Sequence, residues 1–448
     1  MKDYFTKKER QRILSFVGDD ALRNCGLTVA SECLIINDGT FDEVVSFIKK
    51  RRPSVKAQIE LIKRSDINLI DMFFKHRYQF SEDAVNFLCE TACDEIVMLQ
   101  LEKGFLLPEK AQNAVADRQN HKMFMTYAFF TSEYAQLIVL KRNNEDEINK
   151  MLVSAPLTPK AQKTFLQTAT TEQVLDYISH SNERFSDVRP LFEREVKEEI
   201  LAYLQKFWLG EQDVLLFERA NEYEINAYLC SRQAYTLSKK AQTMLLNRGV
   251  HSEIKTYILF GGFFSDKNEV LLVNRHNREE IMAYIYRRRL SKAATLAFIK
   301  WASTEDIITF MNAKNSDNMS IMAQKSLLAR AVEEEILTYI TNVDANAEGK
   351  GFAYTIVHKF LKTRTSKELI AYIDKFDIDE AEEKIIIKRG LTEVIVHYAK
   401  NKYIHNPALI INRGNKQEVR ALFESMNADV DLLLARDEKI NQLLKTPK

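Results

Sequence analysis

Glycine and proline are scarce in this chain, 12 and 7 residues of 448. So few turn formers argue against collagen-like sequence, extended disorder or an all-β design. Cysteine is also sparse. Cys25, Cys33, Cys89, Cys93 and Cys230 make an odd set of five with neither disulfide-framework nor zinc spacing, so reduced thiols are expected. Charge of one sign is missing too: 64 Lys plus Arg stand against 63 Asp plus Glu, which weakens any reading in which the whole surface binds nucleic acid. The opening stretch MKDYFTKKERQRILSF has no apolar run of the length a signal peptide or membrane anchor requires, so a cytosolic protein without a membrane partner is expected.

Catalytic signatures are absent as well. There is no HExxH, no GxSxG, no phosphate loop and no calcium loop, and the eight histidines are scattered. Gly349-Lys350-Gly351 lacks a preceding strand and a third glycine. No cofactor and no metal are expected, and a non-enzymatic role is favoured over catalysis. The one chemistry with residues to consider is base removal, which needs an acid and an aromatic in one groove: Trp208, Trp301 and Asp306 are the residues for it.

What is present is a short repeat. In LSKKAQTMLLNRGVHSEIKTYIL, Ala241, Met244 and Leu245 fall at i, i+3, i+4, and Ile254, Tyr257 and Ile258 repeat that spacing. Each segment therefore buries one stripe of a short α-helix. Ser238 is placed to cap the first helix, Gly249 to end it, and Glu253 to sit at the positive end of the second. Counted from Arg248, the same offsets recur along the chain. Ala-Gln begins seven residues earlier at Ala57, Ala111, Ala135, Ala241 and Ala323. Glutamate and an aliphatic follow at plus five and plus six, as in Glu147-Ile148 and Glu280-Ile281. Tyrosine comes three residues after the aliphatic at Tyr203, Tyr228, Tyr257, Tyr284 and Tyr339. About fifteen two-helix units of roughly 24 to 29 residues are predicted, an all-α superhelix of the α-solenoid class. A unit of that size cannot bury its apolar face alone, so neighbours must stack.

Residues 1–26 do not match the unit and read as an amphipathic capping helix; 27–346 form the repeat array. An inserted glycine-containing loop at 343–354 precedes the C-terminal repeats of 347–448, which continue the same array. The pattern loosens between 157 and 208, and the last units are expected to start near Ile378, Ile404 and Asn427.

Paired short helices with a recurring arginine at the inter-helix turn resemble HEAT-like α-solenoids, and the short period is similar to that of bacterial leucine-rich-repeat-variant proteins. The resemblance covers nearly the whole chain at the level of architecture. It implies a scaffold that binds a protein or peptide partner. Some HEAT-like bacterial proteins bind DNA or remove damaged bases, which makes nucleic-acid binding the alternative.

The most regular polar feature is an arginine ladder: Arg64, Arg118, Arg142, Arg194, Arg219, Arg248, Arg275, Arg330, Arg389 and Arg413. One guanidinium per repeat could track a phosphate backbone. Seven of the ten carry a glutamate five residues on, however, so a structural role is favoured, each arginine bonding that acid or the carbonyls ending its own helix. If exposed, such pairs are worth roughly 0 to 1 kcal/mol and would fix geometry more than stability. The tyrosines are expected in the core. The binding candidates are two basic clusters at the ends of second helices, Lys49-Lys50-Arg51-Arg52 and Arg287-Arg288-Arg289, suited to an acidic partner or phosphate. Oligomeric state has no signature in the sequence.

Overall fold

A computed structural model describes residues 27–231, 236–315, 319–344 and 351–426. The predicted capping helix and the unit expected near Asn427 lie outside them. Among the described residues there are thirty α-helices and no strand. They form fifteen consecutive pairs, and the chain is an all-α solenoid.

Two compact units divide between Gln212 and Asp213. The first holds seven pairs, from Val29–Asp38 with Phe41–Lys50 to Arg189–Glu193 with Lys197–Lys206. The second holds eight, from Asp213–Arg219 with Glu222–Cys230 to Pro407–Arg413 with Lys416–Ser425. In each unit the first helix of a pair packs on the first helix of the next, and second helices do likewise, giving two layers with the core between them. The loosened stretch of sequence at 157–208 contains two pairs, the latter with a first helix of only five residues, Arg189–Glu193. After the 343–354 insertion the chain forms one further pair, Tyr354–Thr363 and Ser366–Lys375, before the unit expected near Ile378.

The alternation of caps and stops follows the local chemistry. Ser238 Oγ accepts from the Ala241 amide at 3.2 Å, and Gly249 closes the helix at φ +73°. The residue after every ladder arginine has positive φ, yet only Gly249, Gly390 and Gly414 are glycine; Ser65, Gln119, Asn143, Glu195, Ala220, His276 and Ala331 take the same left-handed turn. For a residue with a Cβ that conformation costs about 1 to 2 kcal/mol, so the turn must be held by contacts beyond its own sequence.

The stripes are buried as the periodicity requires: Ala241, Leu245, Ile254 and Tyr257 are all at most 1% exposed. Tyr203, Tyr228, Tyr257, Tyr284 and Tyr339 are core residues. The hydroxyls of Tyr257 and Tyr339 reach the approach to the next repeat, whereas those of Tyr203 and Tyr284 tie the approach to their own. Tyr257 donates to the Phe263 carbonyl at 2.8 Å, and Tyr284 donates to Glu269 at 2.8 Å while accepting from the Phe264 amide at 3.3 Å. Burial raises the pKa of each of these two phenols.

Candidate binding surface

The ladder arginines point into the joints between repeats. Arg275 shows the pattern in the second unit. Its Nε and Nη2 donate to Glu280 at 2.9 and 3.2 Å, and its Nη1 and Nη2 donate to the carbonyls of Leu246 and Gly249 at 2.8 and 3.2 Å. Those carbonyls end the first helix of the preceding repeat, not the arginine's own helix. A guanidinium is suited to this place because its planar fork supplies several donors at fixed angles, which an ammonium cannot. Arg194 and Arg413 repeat the arrangement with Glu199 and Glu418. In all seven matched pairs the glutamate is 0–4% exposed and the arginine 16–29%. The acids are thus buried, so the small energy of an exposed ion pair does not apply to them.

Three ladder members lack the matching acid. Arg64 donates to the carbonyls of Ile36 and Gly39, and Arg389 to those of Leu361 and Arg364. Arg118 bonds the carbonyls of Cys89 and Ala92, and pairs at 2.6 Å with Asp94 of the preceding repeat. Histidine joins the network twice, His121 against Glu147 at 2.8 Å and His251 against Glu280 at 3.1 Å. Burial pushes the Glu147 carboxyl up, but the bonds from Arg142 and His121 outweigh it and hold its pKa below the usual value.

A second ladder went unread in the sequence, although the recurring Ala-Gln pair was its signal. The glutamine amide donates to a carbonyl just before its own helix and its oxygen accepts from the start of the next repeat. Gln242 bonds Leu237 O at 2.9 Å and the Ser265 amide at 2.8 Å; Gln58 bonds Pro53 O and the Ser81 amide at 2.9 and 2.7 Å. Gln112, Gln136, Gln162 and Gln324 take the same place. Elsewhere an acid substitutes as acceptor: Glu32, Asp213, Glu269 and Glu383 receive the amides of Ser54, Ser238, Ser291 and Asn406.

The two basic clusters lie in different units. In the first unit Arg51 pairs with Glu32 at 3.3 Å and Arg52 donates to the Gln79 carbonyl at 2.6 Å, so half of that cluster fastens repeats together; Lys49 is exposed and Lys50 half-buried. In the second unit Arg287, Arg288 and Arg289 are exposed, and only Arg288 is tied, to the Gly261 carbonyl at 3.2 Å. Asp306, an acid considered for base removal, is 4% exposed and engaged by Arg278 at 2.7 Å and Ser303 at 2.8 Å. Trp301 stacks on His276 with centroids 4.6 Å apart, and Trp208 belongs to the first unit.

An open cavity of about 690 Å³ lies across second helices of the second unit, lined by Asn312, Glu333, Glu334, Leu337, Thr338, Thr341, Asn342 and Lys367. Its lining is mixed. Glu333 pairs with Lys367 at 3.0 Å, a bond that lowers the pKa of its carboxyl; Asn342 donates to Asn312 at 2.9 Å; Leu337 and Thr338 are half-buried. Among the described residues no group of three His, Cys, Asp or Glu could hold a metal, and no helix is long and apolar enough to cross a membrane. Comparison with protein-family models, curated proteins and solved structures found no match.

Proposed function

We propose that this chain is a non-enzymatic cytoplasmic scaffold, of the HEAT-like or leucine-rich-repeat-variant kind, whose second-helix layer binds a protein or peptide. The observation that carries this reading is the division of labour among polar groups. The ladder that could have followed phosphates is turned into the repeat joints, where its acids are buried. The groove left outside carries Glu333, Glu334 and Lys367 beside Leu337 and Thr338. A surface of mixed sign with one half-buried aliphatic side chain, Leu337, suits a peptide carrying both polar and aliphatic side chains, and it repels a phosphate backbone at its glutamates.

Selection of a displayed peptide library on the full chain tests it. Peptides should be recovered whose binding is weakened by Leu337→Arg and by Glu334→Lys, substitutions at half-buried and exposed positions. Labelled DNA and RNA titrated at two salt concentrations provide the opposing readout. Binding that falls steeply with salt and ignores both substitutions would replace the scaffold with a nucleic-acid binder.

A further inference from the structure

A second surface stands on the ends of the second helices of the second unit. After His251–Leu259 the chain reads Phe260-Gly261-Gly262-Phe263. Gly261 takes φ +92°, and a Cβ on Gly262 would stand 2.4 Å from the Tyr257 ring, so only glycine lets the chain fold back so tightly over that core tyrosine. The tight turn leaves both neighbouring rings outside: Phe260 is 50% and Phe263 42% exposed. Beside it, where the next second helix ends, come Tyr286 at 69% exposure and Arg287, Arg288 and Arg289, with exposed Lys292 just beyond. The bond from Arg288 to Gly261 fixes the two segments side by side. Arg287 and Arg289 have no acidic partner among the described residues.

We infer that this patch binds an acidic segment of another protein, its carboxylates on Arg287 and Arg289 and its aromatic or aliphatic side chains on Phe260, Phe263 and Tyr286. Two guanidiniums without an acidic partner among the described residues select carboxylates, and exposed rings flanking them supply apolar area that a purely electrostatic site lacks. The positive field is also short. The preceding repeat has Phe260, Gly261 and Gly262 where the arginines stand, the following repeat has Ala313, Lys314 and Asn315 with a single cation, and the repeat of Glu333–Asn342 has Asn342, Val343 and Asp344. A nucleic-acid backbone needs cations on successive repeats, whereas a short acidic peptide needs one such cluster. The inference rests on the scaffold reading for the class of partner but uses a different surface.

The test uses the full chain and a short fluorescent peptide of alternating acidic and aromatic or aliphatic residues, with its amidated counterpart (Asn and Gln for Asp and Glu) as control. Fluorescence anisotropy should show binding of the acidic peptide, weakened roughly tenfold or more by Arg287→Glu with Arg289→Glu and several-fold by Phe260→Ser. Arg288 is left in place because it holds the turn, and unchanged circular dichroism should accompany both variants. Equal binding of the amidated peptide, or indifference to the arginine reversal, would overturn the proposal. So would tighter binding through the same arginines of a labelled single-stranded oligonucleotide or of phosphatidylserine vesicles. Failure here with library peptides still bound through Leu337 would leave the scaffold intact; loss of both would remove it.

Discussion

Arg275→Met separates a ladder that stabilises from one that only decorates. Methionine keeps most of the aliphatic stem, so the change removes the guanidinium without opening a large cavity. Four donations disappear, two to Glu280 and two to the carbonyls of Leu246 and Gly249. Glu280 is 0% exposed and would be left as a buried carboxylate. Losing one partner of a buried pair costs about 3 to 5 kcal/mol. The low end, about 3, applies here, because Arg275 is itself 23% exposed, water can enter behind it, and His251 already stands 3.1 Å from the same carboxylate. Lys255→Met, which breaks an exposed pair with Glu279 in the same repeats, should leave stability nearly unmoved. Adding Glu280→Met to Arg275→Met should recover at least about 1 kcal/mol, since an apolar pair carries no buried charge. Urea unfolding followed by circular dichroism gives the difference. Hydrogen exchange over residues 246–281 locates it, because a repeat array can open in sections. If Arg275→Met is no worse than Lys255→Met, or the double variant is worse than the sum of the singles, the buried-pair argument fails.

The glutamine ladder predicts an asymmetry: Gln242→Met should cost about 2 to 4 kcal/mol by orphaning the Ser265 amide and the Leu237 carbonyl, while Glu269→Gln should cost less, because its oxygen still accepts from Ser291 and only the Tyr284 hydroxyl loses its acceptor. Thermal melts of both variants check this. Gly262→Ala should destabilise strongly, its Cβ meeting the Tyr257 ring. Gly104→Ala, with open space and φ +70°, should cost only the left-handed strain of about 1 kcal/mol, as denaturation midpoints will show. Glu147, whose folded pKa is depressed, contributes stability that is complete above its unfolded pKa and lost as pH falls through the lower folded value. Acid titration of folding should therefore show a limb below about pH 4.5 that Glu147→Gln flattens. Cys93 and Cys230 are exposed and should react with a thiol reagent in the native state, whereas Cys89, buried with a pKa pushed up to about 12, should react only on unfolding.

Much of this molecule was legible before any coordinates. Helix lengths, caps and the buried stripes followed from spacing alone, since Ile254 and Tyr257, three residues apart, share a face on an α-helix and lie on opposite faces of a strand. The arginine offset was equally visible, but its partners were not. The glutamate lies five residues away in the same repeat, whereas the Leu246 and Gly249 carbonyls lie in the repeat before, a contact that no local pattern encodes. The glutamine ladder was hidden for the same reason. Its bonds span some two dozen residues, so Ala-Gln looked like a mark of register when it was a joint.

The sequence by itself determined that the chain is helical, repeated and without a recognisable catalytic signature, because periodicity and capping act within a single turn of helix. Only the stacking of repeats decided which charges are buried and which remain outside. It drew Glu280 and Arg275 into a joint while leaving Arg287 and Arg289 beside two half-exposed phenylalanines, although all four are polar residues at the ends of helices. Burial is set by the neighbouring repeat that covers a side chain, and that neighbour is known only once the chain has folded.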